Sequence, residues 1–367
     1  MMADLRIAGW WAGIALAVSI AFFAGYAADW LGASLLGFET SPISAIMMAI
    51  VIGMILANTL RLPPTLRPGL DFCASAILRI GIMLLGIRLS LFSAGQFTLV
   101  ALPFVITAIA VGLFTVGLLG RRMGLSKQLS GLIAVGTSIC GCTAIVAVAP
   151  LIEADESEVS YAIACITVFG LAAMFGYPLL AHYAFASNPA LAGLFLGTSI
   201  HETAQVAGAG MMYEAQYNAP VALELATVTK LVRNLSMIAV IPLIGFLYGS
   251  KRGSSASGRI DYLAMIPWFI VGFALMSALR TIGDSSDRPL GFLQPDQWHQ
   301  LVAVLRNLAE YCLLIAMAAV GLTSMFAGLR RIGLRPFVLG LFAALLVGGV
   351  SFTMITLFAP RLMAMAG

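Results

Sequence analysis

Long apolar runs separated by short polar joins fill the chain. Eleven such segments stand out, at 7–27, 43–59, 72–91, 97–120, 128–152, 159–185, 189–212, 219–249, 261–282, 299–328 and 336–359. About 20 helical residues span roughly 30 Å of hydrocarbon, so most of these runs are of membrane-crossing length. Pro42, Pro63-Pro64, Pro189, Pro220 and Pro336 punctuate the joins, and Gly253-Ser-Ser-Ala-Ser-Gly258 reads as a flexible connector within a loop at 250–260. No segment is polar enough for a separate soluble domain. The expected fold is an all-α polytopic membrane protein, a single transmembrane domain over 1–367 with about 9–11 membrane segments. The first run carries Trp10 and Trp11 at one end and Trp30 beyond the other, which fits interfacial aromatic anchors. Ala24-Gly-Tyr-Ala27 resembles a signal cleavage site. The run nevertheless exceeds a usual signal core, and its leader carries Asp4 as well as Arg6, so it reads as a membrane anchor.

Two segments contain near-repeats. Gly136-Thr-Ser-Ile-Cys-Gly-Cys-Thr-Ala144 and Gly197-Thr-Ser-Ile-His-Glu-Thr-Ala204 match over four consecutive residues, with Cys140 opposite His201. About ten apolar residues flank each side, or about 15 Å of helix, which places both near the bilayer midplane. Helix-weakening backbone at that depth is tolerated only inside protein or beside a water-filled cavity, and paired interrupted helices point to a transporter's binding site. Segments 128–152 and 189–212 could each cross as a broken helix or dip and return as a re-entrant hairpin. An inverted repeat favours hairpins, which would enter from opposite faces. The two models differ in where they put the acidic loop Glu153–Glu158. A fainter echo links Leu85–Ser90 with Val320–Met325.

Composition agrees: 61% of the 367 residues are hydrophobic and 10% charged. The net charge of +4 is thinly spread, and no basic stripe suggests nucleic acid. If the N-terminus is cytoplasmic, twelve of the 20 Lys and Arg residues fall in inside loops, among them Arg6, Arg61, Arg67, Arg121, Arg122 and Lys127. Only Arg280, Arg288 and Arg361 fall outside, a clear positive-inside bias.

Five basic residues lie within apolar segments: Arg79, Arg88, Lys230, Arg233 and Arg306. Burying each costs about 2.5–3.5 kcal/mol on insertion scales, so each needs a reason. Lys230 and Arg233 are three apart and share a helix face. Arg88 is near enough to an end to snorkel, and Arg306 and Glu310 are spaced to satisfy each other. Free N–H groups at Gly136–Gly141 and Gly197–Glu202 would add positive potential, so the expected substrate is a small anion held by Lys230, Arg233 and Arg79. The bland alternative pairs Lys230 and Arg233 with Glu202 or Glu224 as helix glue. His201 and Glu202 form the one titratable dyad at a break and are the candidate proton-coupling residues. A capping role for His201 is the alternative. Gln205 lies one turn on. Thr137, Ser138, Thr198 and Ser199 offer hydroxyls that could serve a ligand or only their own helices. Cys140 and Cys142 are separated by a single residue, with no second Cys/His set, which argues against a metal site. No cofactor, P-loop or catalytic constellation is visible, so no enzyme is expected.

At these residues the chain resembles the YeiH-like sulfate exporter family of bacterial inner-membrane proteins. The matching pieces are Leu78-Arg-Ile-Gly-Ile82 with Gly86-Ile-Arg-Leu89, Gly136–Gly141, Gly197–Glu202 with Ala204-Gln-Val206, Lys230-Leu-Val-Arg233 and Ala316–Leu322. Cys142 departs from the small residue usual there. The family is grouped with cation:proton antiporters and anion transporters. The resemblance implies an inverted-repeat core with interrupted helices, a bacterial inner-membrane location and a homodimer. The expected function is export of an anion such as sulfate or sulfite, with proton coupling. Alternatives are a cation/proton antiporter and a membrane sensor or scaffold without transport.

Overall fold

The computed structural model describes residues 2–31, 44–248, 267–285, 288–291, 293–324 and 333–366. The connector at 250–260 lies outside them. Every regular element among the described residues is helical. In chain order these are α1 (Met2–Asp29), α2 (Ala45–Thr59), α3 (Arg67–Phe72), α4 (Leu78–Leu85), α5 (Leu91–Arg122), α6 (Lys127–Ser138), α7 (Cys142–Val148) and α8 (Glu156–Phe185). There follow α9 (Pro189–Ser199), α10 (Thr203–Tyr217), α11 (Pro220–Leu235), α12 (Met237–Tyr248), α13 (Trp268–Asp284), α14 (Pro295–Thr323) and α15 (Leu334–Ala366). Seven helical stretches among the described residues are long and apolar enough to cross a membrane, and Ala45–Thr59, Cys142–Ile152 and Pro189–Ser199 are shorter apolar helices. The protein is an all-α polytopic membrane protein.

Several apolar segments resolve into more than one helix. Segment 72–91 falls in a composite span in which α3 passes through a π-helical turn (Cys73–Ile77) into α4 and closes in a 3₁₀ turn at Gly86–Arg88. Segment 219–249 is α11 and α12, separated at Ser236, whose Oγ donates to the Arg233 carbonyl at 2.6 Å.

The chain forms two compact units, and α5, α10, α11 and α13 contribute residues to both. The first comprises Met1–Gly95, Ala207–Glu224 and Phe269–Ala327. Here α14 packs on α2, α4 and α1. Its apolar core includes Leu70 and Leu322 together with Ala17, Ala21, Ala49 and Ala318, small residues that let helices approach closely. At the α2–α14 crossing, backbone meets backbone. A Cβ on Gly53 would lie 2.7 Å from the Ala318 carbonyl oxygen, and one on Gly321 would lie 2.4 Å from that of Ile50.

The second unit comprises Gln96–Val206, Leu225–Trp268 and Gly328–Gly367. In it α8 packs on α6 and α9, while α15 lies against α6, α8 and α9. Phe185, Phe195 and Phe352 interlock, with ring centroids 5.5–6.1 Å apart. Segment 128–152 is a re-entrant hairpin. Gly141 adopts φ 68°, ψ −130°, a conformation glycine alone adopts readily, and its N–H donates to the Gly136 carbonyl at 3.0 Å. The turn sends α7 back along α6, so that the Ile145 side chain fills the space beside Gly136. Ser126, the N-cap of α6, donates to the Glu158 carboxylate at the start of α8. The acidic loop therefore shares an end of the unit with the basic Arg121–Lys127 join.

Candidate functional site

The second break lies at Ile200–Glu202, where α9 ends with Ile200 at φ −82°, ψ 140° before α10 begins. The last turn of any helix leaves carbonyls without intrahelical donors, a heavy cost away from water. At both breaks one face of α11 supplies the donors. Lys230 Nζ donates to the carbonyls of Ile139 at 3.0 Å and Ile200 at 3.2 Å, and to that of His201. Arg233 donates from Nε to Ser138 at 2.8 Å, and from Nη1 to Thr198 at 2.7 Å and Ile200 at 3.0 Å. Its Nη2 takes the Thr137 carbonyl. Two buried cations thus cap the ends of α6 and α9, each worth about half a negative charge.

The donors of Lys230 and Arg233 are directed at protein carbonyls. These cations do not pair with acids: neither forms an ion pair among the described residues. They join the helices through backbone oxygens instead.

The opposite ends of the breaks carry the acceptors. Glu202 Oε1 lies 3.4 Å from the Cys142 N–H at the start of α7 and also accepts from the Cys142 thiol. Gln205 Oε1 accepts from the Glu202 N–H at 3.3 Å, and its Nε2 donates to the Thr167 carbonyl of α8 at 3.3 Å. Asn234 Nδ2 donates to Thr203 Oγ1 at 3.1 Å. The hydroxyls divide. Thr137 and Thr198 donate to carbonyls of their own helices, at 2.7 Å to Ile133 and 2.8 Å to Leu194. Ser138 and Ser199 are fully buried, and their hydroxyls reach no hydrogen-bond partner. His201 is likewise fully buried, and neither ring nitrogen has a partner in hydrogen-bond geometry, although Arg233, Lys230 and the Thr137 backbone are among its electrostatic neighbours. Cys140 Sγ faces Met237 Sδ at 3.0 Å.

Two glycines expected to present N–H groups are packing positions. Gly136 faces Ile145 and Ile166, and Gly197 faces Thr229 and the Ala226 carbonyl. Arg79 is exposed and belongs to the first unit, so it is not grouped with the other site residues.

The first unit holds a second polar cluster that spacing did not reveal. Arg88 does not snorkel: its side chain is 2% exposed and meets three carboxylates. Nη2 pairs with Glu214, Nε lies 3.4 Å from Glu224, and Nη1 lies 3.7 Å from Glu310. Glu310 thereby takes Arg88, from another helix, as its ion-pair partner rather than Arg306 on its own. Thr167, Thr203 and Asn234 were also missed. Asn234 adjoins Arg233 in sequence and could have been found; a threonine within an apolar run such as Thr167 gives no signal.

The family described as "Conserved hypothetical protein 698" matches residues 12–340. The chain belongs to this family. Relatives described as UPF0324 membrane proteins include one from Oceanobacillus iheyensis, 33% identical over 96% of both chains. Another, from Yersinia pestis, is 33% identical over 89% of this chain and 87% of its own. A third, from Bacteroides thetaiotaomicron, is 31% identical over 87% of this chain and 91% of its own. Family membership therefore extends over the breaks and the α11 cations alike. No solved structure matches the chain.

Proposed function

We propose that the chain is a secondary transporter of a small oxyanion of the sulfate or sulfite class, coupled to protons, in the bacterial inner membrane with a cytoplasmic N-terminus. The observation that carries this reading is the pair of helix breaks held on one face of α11 by Lys230 and Arg233, with the unpartnered groups of His201, Ser138 and Ser199 beside them. Charge balance supports an anion. Two basic side chains, Lys230 and Arg233, and the starts of α7 and α10 converge on the breaks against a single acid, Glu202. In this reading Glu202, beside the start of α7, is the group that links proton binding to anion binding.

The rival reading, a cation/proton antiporter, requires free carbonyls at the breaks to ligate the cation. Six of them, from Thr137, Ser138, Ile139, Thr198, Ile200 and His201, already accept from Lys230 or Arg233. Reconstitution in liposomes tests the proposal. Labelled sulfate or sulfite should move down an imposed proton gradient, and Glu202→Gln should retain exchange while losing its pH dependence. Sodium- or lithium-driven proton flux without oxyanion movement would establish the rival.

A further inference from the structure

At the joint between α2 and α3 the first unit has an open cavity of about 570 Å³. That size falls within the roughly 300–1,000 Å³ typical of small-ligand sites. Its floor is apolar: Leu70 and Leu322 are each 3% exposed. Its rim carries two guanidinium groups, Arg61 and Arg67, with Thr59 and Thr323 alongside. Arg61 is exposed and forms no ion pair among the described residues. Arg67 lies 3.9 Å from Asp71, but both side chains are more than half exposed, and such pairs hold weakly. Both guanidinium groups are therefore available to a ligand, and their planar donor forks suit phosphate oxygens.

Neighbouring aromatic residues fix the depth. The Trp10 ring lies 5.1 Å from Phe72, two residues beyond Leu70 of the cavity lining, and its carbonyl oxygen abuts Gly69. Trp11 beside it is exposed. Tryptophans at the end of an apolar span mark the headgroup level of a bilayer. The cavity thus combines a basic rim at headgroup depth with an apolar floor. A free oxyanion would leave the exposed Leu60 and the half-buried Leu62 and Leu66 of the lining uncovered, whereas a lipid covers them with its glycerol and first methylenes. Basic pockets between helices at a membrane surface bind anionic headgroups.

We propose that this cavity is a binding site for the phosphate headgroup of an anionic phospholipid, contacted by Arg61 and Arg67. The site is independent of the transport reading. Native mass spectrometry of the purified full chain in neutral detergent tests it, with phosphatidylglycerol, phosphatidylcholine and inorganic phosphate as probes. Phosphatidylglycerol should be retained in preference to phosphatidylcholine, and Arg61→Gln with Arg67→Gln should lower its retention by roughly fivefold per arginine. Arg121→Gln with Arg122→Gln, at another basic join, should leave retention unchanged. If the double variant does not fold, Arg61→Gln alone serves, because that exposed side chain holds no ion pair. Equal retention by wild type and variant, or inorganic phosphate displacing the lipid at equal concentration, would overturn the assignment.

Discussion

Arg233 illustrates at the residue scale how a buried charge becomes structural. Its three nitrogens reach four carbonyls, and three of these, from Thr137, Ser138 and Thr198, have no second donor from Lys230. A buried acceptor left unpaired costs about 1–3 kcal/mol. Arg233→Ala should therefore lower stability by about 3 kcal/mol or more, and Arg233→Lys by less, in thermal unfolding of the detergent-solubilised protein. An arginine whose donors faced only a substrate would unfold at the wild-type temperature once removed. Gly141 is the second sensitive residue. A Cβ there would sit 2.4 Å from Glu202 Cγ, on backbone at φ +68°. Gly141→Ala should cost about 1–3 kcal/mol in backbone strain and displace Glu202 from Cys142. Gly95→Ala, with no atom within 4 Å of the new methyl, should cost nothing by the same measurement. The buried basic pair and the breaks were legible in the sequence because charge, glycine and paired hydroxyls are out of place in apolar helices. The direction of the donors was not legible. The carbonyls they meet lie about 30 to 95 residues away, and only the folded path of the backbone sets their positions.

At the scale of elements, the α2–α14 crossing depends on Gly53 and Gly321. Membrane helices gain no hydrophobic drive from each other, so close packing and hydrogen bonds must hold them. Gly321→Val should force these helices apart. The expected readout is loss of the monodisperse peak in size-exclusion chromatography, while Gly349→Val, which meets nothing within 4 Å, should elute normally. The Arg88 cluster belongs to this scale too. Helical spacing brought out the Arg306–Glu310 pair, a local interaction, but not the gathering of Glu214, Glu224 and Glu310 around Arg88. Those carboxylates come from α10, α11 and α14, and sequence spacing carries no information about contacts between distant helices.

Across the whole molecule, the path of segment 128–152 sets the sidedness of everything after it. The Ser126–Glu158 hydrogen bond brings its two ends together, so the Arg121–Lys127 join and the Glu153–Glu158 loop should lie on the same membrane face. Single cysteines at Leu125 and Ala154, in a background without the native cysteines, should label together with an impermeant thiol reagent. Labelling from opposite sides would require a straight crossing. With this hairpin in place, Lys251, Arg252 and Arg259 stay with the other inside residues only if segment 189–212 also returns.

The sequence by itself determined the membrane class, the helical content, the two interruptions and the placing of Lys230 and Arg233 within an apolar helix. These follow from the cost of bringing polar groups into hydrocarbon, which acts at each position along the chain. Tertiary structure alone decided that the first interruption folds back, that the two cations cap broken helix ends, and that Arg88 gathers three acids. Each of these depends on where a distant backbone or side chain comes to lie, and close packing rather than local composition sets that.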